Sequence, residues 1–206
     1  MSKNREIEAK TLLPKNTYDN LCKDFAHKED FMQTNNYFDT SDQVLKKHQA
    51  SLRIRIYEDH AEQTLKVPDL DPVQKHFHEV IEINDILDLT HAQNLVDLAK
   101  NGRNIKFEKN VGEYLDKNFN QKQNKLELFT WSKTHRILAN GPENCELTLD
   151  ATSYPDGYQD FELEIENKNP ALIKKVQIAL QEKYGFTQTI NNQNKNKIAR
   201  ATIHKI

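Results

Sequence analysis

The chain has 206 residues, 36% hydrophobic and 29% charged, with 29 Lys and Arg against 31 Asp and Glu for a net charge of −2. That length suits one domain over 1–206, and the near balance excludes bulk attraction to nucleic acid or acidic lipid. Two cysteines are too few for a disulfide framework, and no apolar run approaches the ~20 residues of a membrane helix; with no secretory signal visible, a cytoplasmic protein is expected.

Period-two alternation predicts a first strand over 5–13, stopped by Pro14. Asn16 or Thr17 is placed to cap a helix carrying Tyr18, Leu21, Cys22 and Phe25. Short extended runs at 33–39, 50–57, 63–67 and 77–83 point to a meandering antiparallel sheet or barrel. A helix is expected from Thr90 as cap to Gly102 as stop. Residues 106–125 are rich in Asn, Lys and Gln and allow one helix, so 86–125 reads as a helical insertion. Strands resume at 126–137, 145–150 and 160–166, with a turn at Pro155-Asp156-Gly157. Pro170 opens a well-marked helix ending at Gly185. An Asn-rich loop then leads to a short helix from Lys197 to about His204.

The chemistry lies in which residues share a strand face. Glu6, Glu8 and Lys10 oppose Ile7 and Ala9; Arg53 and Arg55 oppose Leu52, Ile54 and Ile56. Thr64 and Lys66 oppose Leu65 and Val67. Glu146, Thr148 and Asp150 oppose Leu147 and Leu149; Glu162, Glu164 and Glu166 oppose Phe161, Leu163 and Ile165. On any one strand this is the ordinary pattern of a half-exposed sheet. The sorting by sign is not ordinary, because solvated faces mix charges. Same-sign rows repel and call for an opposing row, a metal or a charged ligand. A barrel with a charged interior and helices over its apolar exterior meets all three needs.

In their order along the chain, these elements resemble the CYTH superfamily of triphosphate tunnel metalloenzymes. The stretch Glu6-Ile7-Glu8-Ala9-Lys10 is similar to its ExExK signature. After it come 36–40, Leu52-Arg53-Ile54-Arg55, Thr64-Leu65-Lys66, a strand with Glu79, Thr134-His135-Arg136, Leu149-Asp150, the Glu162/Glu164/Glu166 run, and 195–200. The resemblance implies an α+β fold: an eight-stranded antiparallel β-barrel open as a tunnel, with helices packed on the outside. It implies phosphate binding by Lys10, Arg53, Arg55, Lys66, Arg136 and Lys195 or Lys197. It also implies Mg²⁺ or Mn²⁺ binding by Glu6, Glu8, Glu162 and Glu164, with Asp150 and Glu166 as further ligands. Glu6, Glu8 and Lys10 would then form the catalytic group. In the strand of Glu79, the acidic Glu82 lies on the opposite face, and the inward residue stays open.

Such a site suits the chemistry. Forked Arg and point-charge Lys neutralise phosphate oxygens, and carboxylates suit hard divalent cations. The expected activity is metal-dependent hydrolysis of a triphosphate, inorganic tripolyphosphate first. Thiamine triphosphate hydrolysis, cyclisation of ATP, and binding of a polyphosphate or nucleotide without turnover are the alternatives. No adenine pocket is identifiable. Five glycines and no Gly-rich loop exclude a Walker-type cradle. Ser132 and Ser153 lack a nucleophile-elbow context. His76 and His78 have no third ligand at a metal-binding spacing and read as loop residues. Phe129 and Trp131 are expected on the barrel exterior. An apolar exterior needs cover, by helices or by a second copy of the chain.

Overall fold

The computed structural model describes residues 3–70, 78–119, 126–193 and 195–205, without the side chains of residues 3–6 and 78. Eight strands form the wall: β1 Lys3–Leu13, β2 His27–Thr40, β3 Ser51–Ile56, β4 Ala61–Pro68, β5 His78–Leu87, β6 Leu126–Asn140, β7 Glu146–Ser153 and β8 Gln159–Glu166. They close into one antiparallel barrel in the order β1-β5-β4-β3-β2-β6-β7-β8, with β1 bonded to both β5 and β8.

Alternation along each strand sends apolar side chains outward, and helices bury them there. α1 (Lys15–Asp24) and α5 (Pro170–Tyr184) cover one half. Ile7, Ala9, Leu147, Leu149, Leu163 and Ile165 pack there against Leu21, Ile173, Val176 and Leu180. α2 (Val44–Lys47), α3 (Leu89–Lys100) and α4 (Lys109–Asn118) cover the other. There Phe38, Leu52, Ile54, Leu65 and Ile83 meet Leu45, Ala92, Val96, Val111 and Leu115. Each such Leu or Ile contributes roughly 1.5–3 kcal/mol. The apolar core therefore lies outside the barrel, in two pads, and the polar faces are left to line the inside.

The strand and helix expectations hold in kind, with several corrected limits. β2 begins at His27 rather than residue 33, because its exposed polar first third is held by pairing to β6 instead of by burial. α1 starts directly after Pro14, so Asn16 and Thr17 lie inside the helix. α3 is capped by Asp88, whose carboxylate accepts from the His91 amide, and not by Thr90. The expected Gly185 stop is present: its φ of +66° is the left-handed turn that glycine adopts without Cβ strain. His76 lies outside the described residues.

The last helix, α6 (Lys197–Ile203), packs across one end of the barrel rather than along the wall. Ala201 and Ile198 sit on Tyr37, Tyr154 and Phe129, and the Ala201 carbonyl accepts from the Thr130 hydroxyl at 2.9 Å. Phe129 is thus not on the exterior. A register shift between Tyr37 and Phe38 makes it the extra residue of a bulge, which turns its ring toward α6. Trp131 keeps the outward register, across from Asn36.

Candidate functional site

A cavity of about 1000 Å³ runs into the barrel, lined by β1–β6, β8 and α6. Two walls of opposite character meet at it; of the acidic one, Glu164 lines the cavity and Asp150 and Glu162 lie buried behind it.

The first wall is basic. Arg53 and Arg55 project from β3 together, as their two-residue spacing requires. The neighbouring β4 presents Glu62, Thr64 and Lys66 at the same alternation, and β5 presents Glu82. Arg55 donates to Asn35 Oδ1 at 2.8 Å, to the Tyr57 hydroxyl at 3.1 Å and to Glu62 Oε1 at 3.1 Å. Lys66 Nζ lies 2.5 Å from Glu82 Oε1. Burial works to raise the Glu82 carboxyl, but Lys66 and Arg53 overcome it and hold it well below the ordinary range. Arg53 differs from its neighbours. Its nearest carboxylate oxygens, on Glu82 and Glu62, are 3.9 and 4.0 Å away, and its buried Nε has no hydrogen-bond partner. Burial and the adjacent Arg55 together lower its pKa. It is a desolvated cation with donors unspent.

The second wall is acidic. Asp150 on β7 and Glu162 and Glu164 on β8 are buried, with an oxygen of each within 4.8 Å of the others. Lys197, reaching in from α6, binds all three: Asp150 Oδ2 at 2.7 Å, Glu164 Oε1 at 2.7 Å, and Glu162 in a short contact. Arg136 forks onto Asp150 at 2.8 and 2.6 Å and reaches Glu164 at 3.2 Å. Lys10 Nζ bridges Glu8 at 2.7 Å and Glu164 at 2.9 Å. Arg200, one helical turn beyond Lys197, pairs with Glu162 at 2.6 Å and Asp160 at 2.7 Å. Burial opposes ionisation of Asp150 and Glu164, yet Arg136, Lys197 and, for Glu164, Lys10 pull both below their usual values. The same carboxylates raise the Lys197 pKa against its own burial.

The barrel thus brings together Glu8, Lys10, Arg53, Arg55, Lys66, Arg136, Asp150, Glu162, Glu164 and Lys197 from the sequence reading. Arg136 stands with the acids rather than beside Arg53. Lys195 is exposed and offers only its carbonyl, which accepts from Arg200, so the choice between Lys195 and Lys197 falls to Lys197. Glu166 is half-buried at the end of β8, apart from the acidic trio. The Glu6 side chain lies outside the described part. In β5 both glutamates reach the cavity lining: Glu82 stands across from Lys66 and pairs with it, and Glu79 stands across from Ile7. Glu62, Glu82, Asp160 and Arg200 join the site without having been assigned a role. Glu62 was detectable, since it shares a face with Thr64 and Lys66.

The acidic trio fits a divalent cation. It offers hard carboxylate oxygens from rigid strands, and a lysine ammonium already stands in for a cation among them. A model of the CYTH domain matches residues 4–202. The chain belongs to the CYTH family. Its fold is similar to that of a candidate adenylate cyclase from Bacillus halodurans, at 28% identity and a TM-score of 0.78, covering 97% of this chain and 98% of that one. A candidate adenylyl cyclase from Hippeastrum, with a dominant triphosphatase activity, superposes with a TM-score of 0.74 at 19% identity, covering 100% and 97%. A protein from Pyrococcus horikoshii gives 0.59 at 16% identity, covering 95% and 97%. No curated protein matches the sequence. No helix among the described residues is long and apolar enough to cross a membrane.

Proposed function

We propose that this CYTH protein hydrolyses a triphosphate, inorganic tripolyphosphate first, with Mg²⁺ or Mn²⁺ held by the acidic wall. The observation that carries the reading is Arg53, a buried guanidinium whose Nε lacks a partner, set in a basic wall opposite a trio of buried carboxylates. A polyanion entering between the walls gives Arg53 its missing acceptors. Arg55 and Lys66, already oriented by Asn35, Tyr57 and Glu82, add positive charge beside it.

Asp150, Glu162 and Glu164 are the residues that would hold the ion, with Glu8 adjacent through Lys10. When bound, a divalent ion neutralises phosphate oxygens and lowers the pKa of water. The chain's own part is positioning. Rigid strands fix the cations on one side and the carboxylates on the other, which is most of what phosphoryl transfer asks of a protein.

A second reading, an organic triphosphate such as a nucleotide, is favoured by the cavity. About 1000 Å³ is at the upper end of pockets for drug-sized ligands, and its lining includes Tyr37, Phe129 and Ile198. The name of the Bacillus halodurans relative agrees with that alternative. The test is to incubate the protein with tripolyphosphate, thiamine triphosphate and ATP, each with Mg²⁺ or Mn²⁺. Phosphate release fastest from tripolyphosphate is expected. Cyclic AMP formation supports the nucleotide reading, and binding without product makes the protein a sensor. Glu8→Gln should lose at least ~100-fold of the metal-dependent turnover. Near-normal turnover in that variant removes Glu8 from the catalytic group.

A further inference from the structure

Lys197 occupies the place in the acidic wall that suits a cation. We propose that its ammonium is a tethered counter-ion that fills the metal site of the free protein and so sets how weakly metal binds when no triphosphate is present. This rests on the metal-dependent reading above and deepens it.

Three observations carry the proposal. Lys197 touches Asp150, Glu162 and Glu164 together, whereas Arg136 reaches two of them and Lys10 and Arg200 one each. These carboxylates are 0%, 0% and 6% exposed, so water cannot balance their charge and the pocket has to hold a cation at all times. Finally, the helix beneath Lys197 is fastened independently of it. Ala201 is held by Thr130, and Arg200 by Glu162, Asp160 and Tyr154. The ammonium can therefore leave on its flexible four-carbon stem while α6 stays in place.

A divalent ion and the ammonium cannot share one set of oxygens. Metal entry thus requires Lys197 to move, and the side chain lines the same cavity, so it moves toward the space a polyanion fills. Displaced alone, the ammonium is a buried charge without a partner. Displaced beside a triphosphate, it gains phosphate oxygens. Metal and triphosphate then favour one another's binding by an equal factor, as linkage requires.

The test uses metal alone. Free Mn²⁺ is counted by electron paramagnetic resonance during titration of the wild-type protein, Lys197→Gln, Lys197→Arg and Lys10→Gln, without any polyanion. Lys197→Gln should bind Mn²⁺ about 10-fold tighter, within the usual span of coupling between sites. Lys197→Arg should stay weak, and Lys10→Gln should gain less. Equal affinity of Lys197→Gln and wild type overturns the proposal, as does an equal gain from Lys10→Gln. If circular dichroism shows Lys197→Gln unfolded without metal, refolding by Mn²⁺ at concentrations that leave the wild type unloaded supports the proposal; failure to refold overturns it. Tripolyphosphate binding by the wild type with Mn²⁺ is measured separately. Its absence beside a tighter Lys197→Gln sinks the functional reading and leaves the counter-ion role standing.

Discussion

Replacing Arg53 by Gln should separate affinity from stability. In the free protein the guanidinium is desolvated, stands 3.9–4.0 Å from its nearest carboxylates and faces the like charge of Arg55. At an effective dielectric near 20 each of those attractions is worth about 4 kcal/mol, but burial of the ion and repulsion from Arg55 oppose them. Burial and Arg55 outweigh the attractions, as the lowered Arg53 pKa shows, so the variant should unfold within about 1 kcal/mol of wild type, and on the stabilising side if anything. Glu62 and Glu82 keep Arg55 and Lys66 as partners after the change. Binding should respond very differently. Truncating one member of a buried charged pair costs about 2–5 kcal/mol, so the Kd for tripolyphosphate should rise by roughly 30-fold or more. Arg136→Gln supplies the contrast. It removes a forked pair with Asp150 and a contact to Glu164, and broken buried pairs cost about 3–5 kcal/mol of stability. Urea unfolding and isothermal titration calorimetry on both variants decide the matter. If Arg53→Gln lost as much stability as Arg136→Gln while affinity held, the claim that Arg53 is kept for a ligand would be wrong.

Acid should unfold the protein through the same carboxylates. Glu82, Asp150 and Glu164 are held below their unfolded values near 4, so their stabilisation is complete above about pH 5 and is lost as pH falls through the folded pKa values. The urea midpoint should fall steadily below about pH 5, and a flat profile down to pH 2 contradicts the assignment. Asp85→Asn should cost about 1–2 kcal/mol with phosphate release unaffected. Its carboxylate accepts from the Asn110 and Val111 amides at the start of α4, outside the barrel. Gly185→Ala should cost about 1 kcal/mol in the same unfolding assay, because its φ of +66° strains a Cβ-bearing residue.

Much of the tunnel was legible because strand geometry converts sequence parity into a face. Arg53 with Arg55, and Glu162 with Glu164, announce shared walls in five or fewer residues. Parity fails where the period breaks. One extra residue at the β6 bulge moved Phe129 from the expected exterior to the cavity lining beneath α6, and nothing local marks it. β5 offered acids of both parities, and only its pairing with β4 sets Glu82 beside Lys66. Arg200 follows Lys197 by one helical turn, yet its place among the acids depends on α6 crossing the barrel end, a tertiary fact. The caps at Asp39 and Asp85 were equally hidden. The Asp39 carboxylate binds the Leu45 amide and that of Asp85 the Val111 amide, and every partner of Asp85 (Gln63, Asn110 and Val111) is 22 to 26 residues away.

The closing seam of the barrel constrains how the chain assembles. β1, though made first, bonds to β5 and β8, so half of its amide ladder waits for the strand that ends at Glu166. Until then its carboxylates and Lys10 remain hydrated, and no charged lumen exists. Such distant pairing makes closure slow relative to hairpins such as β3–β4. On a ribosome, the pad of α2, α3 and α4 can begin to gather apolar side chains while the ring is still a curved, open sheet, whereas the other pad waits for α5.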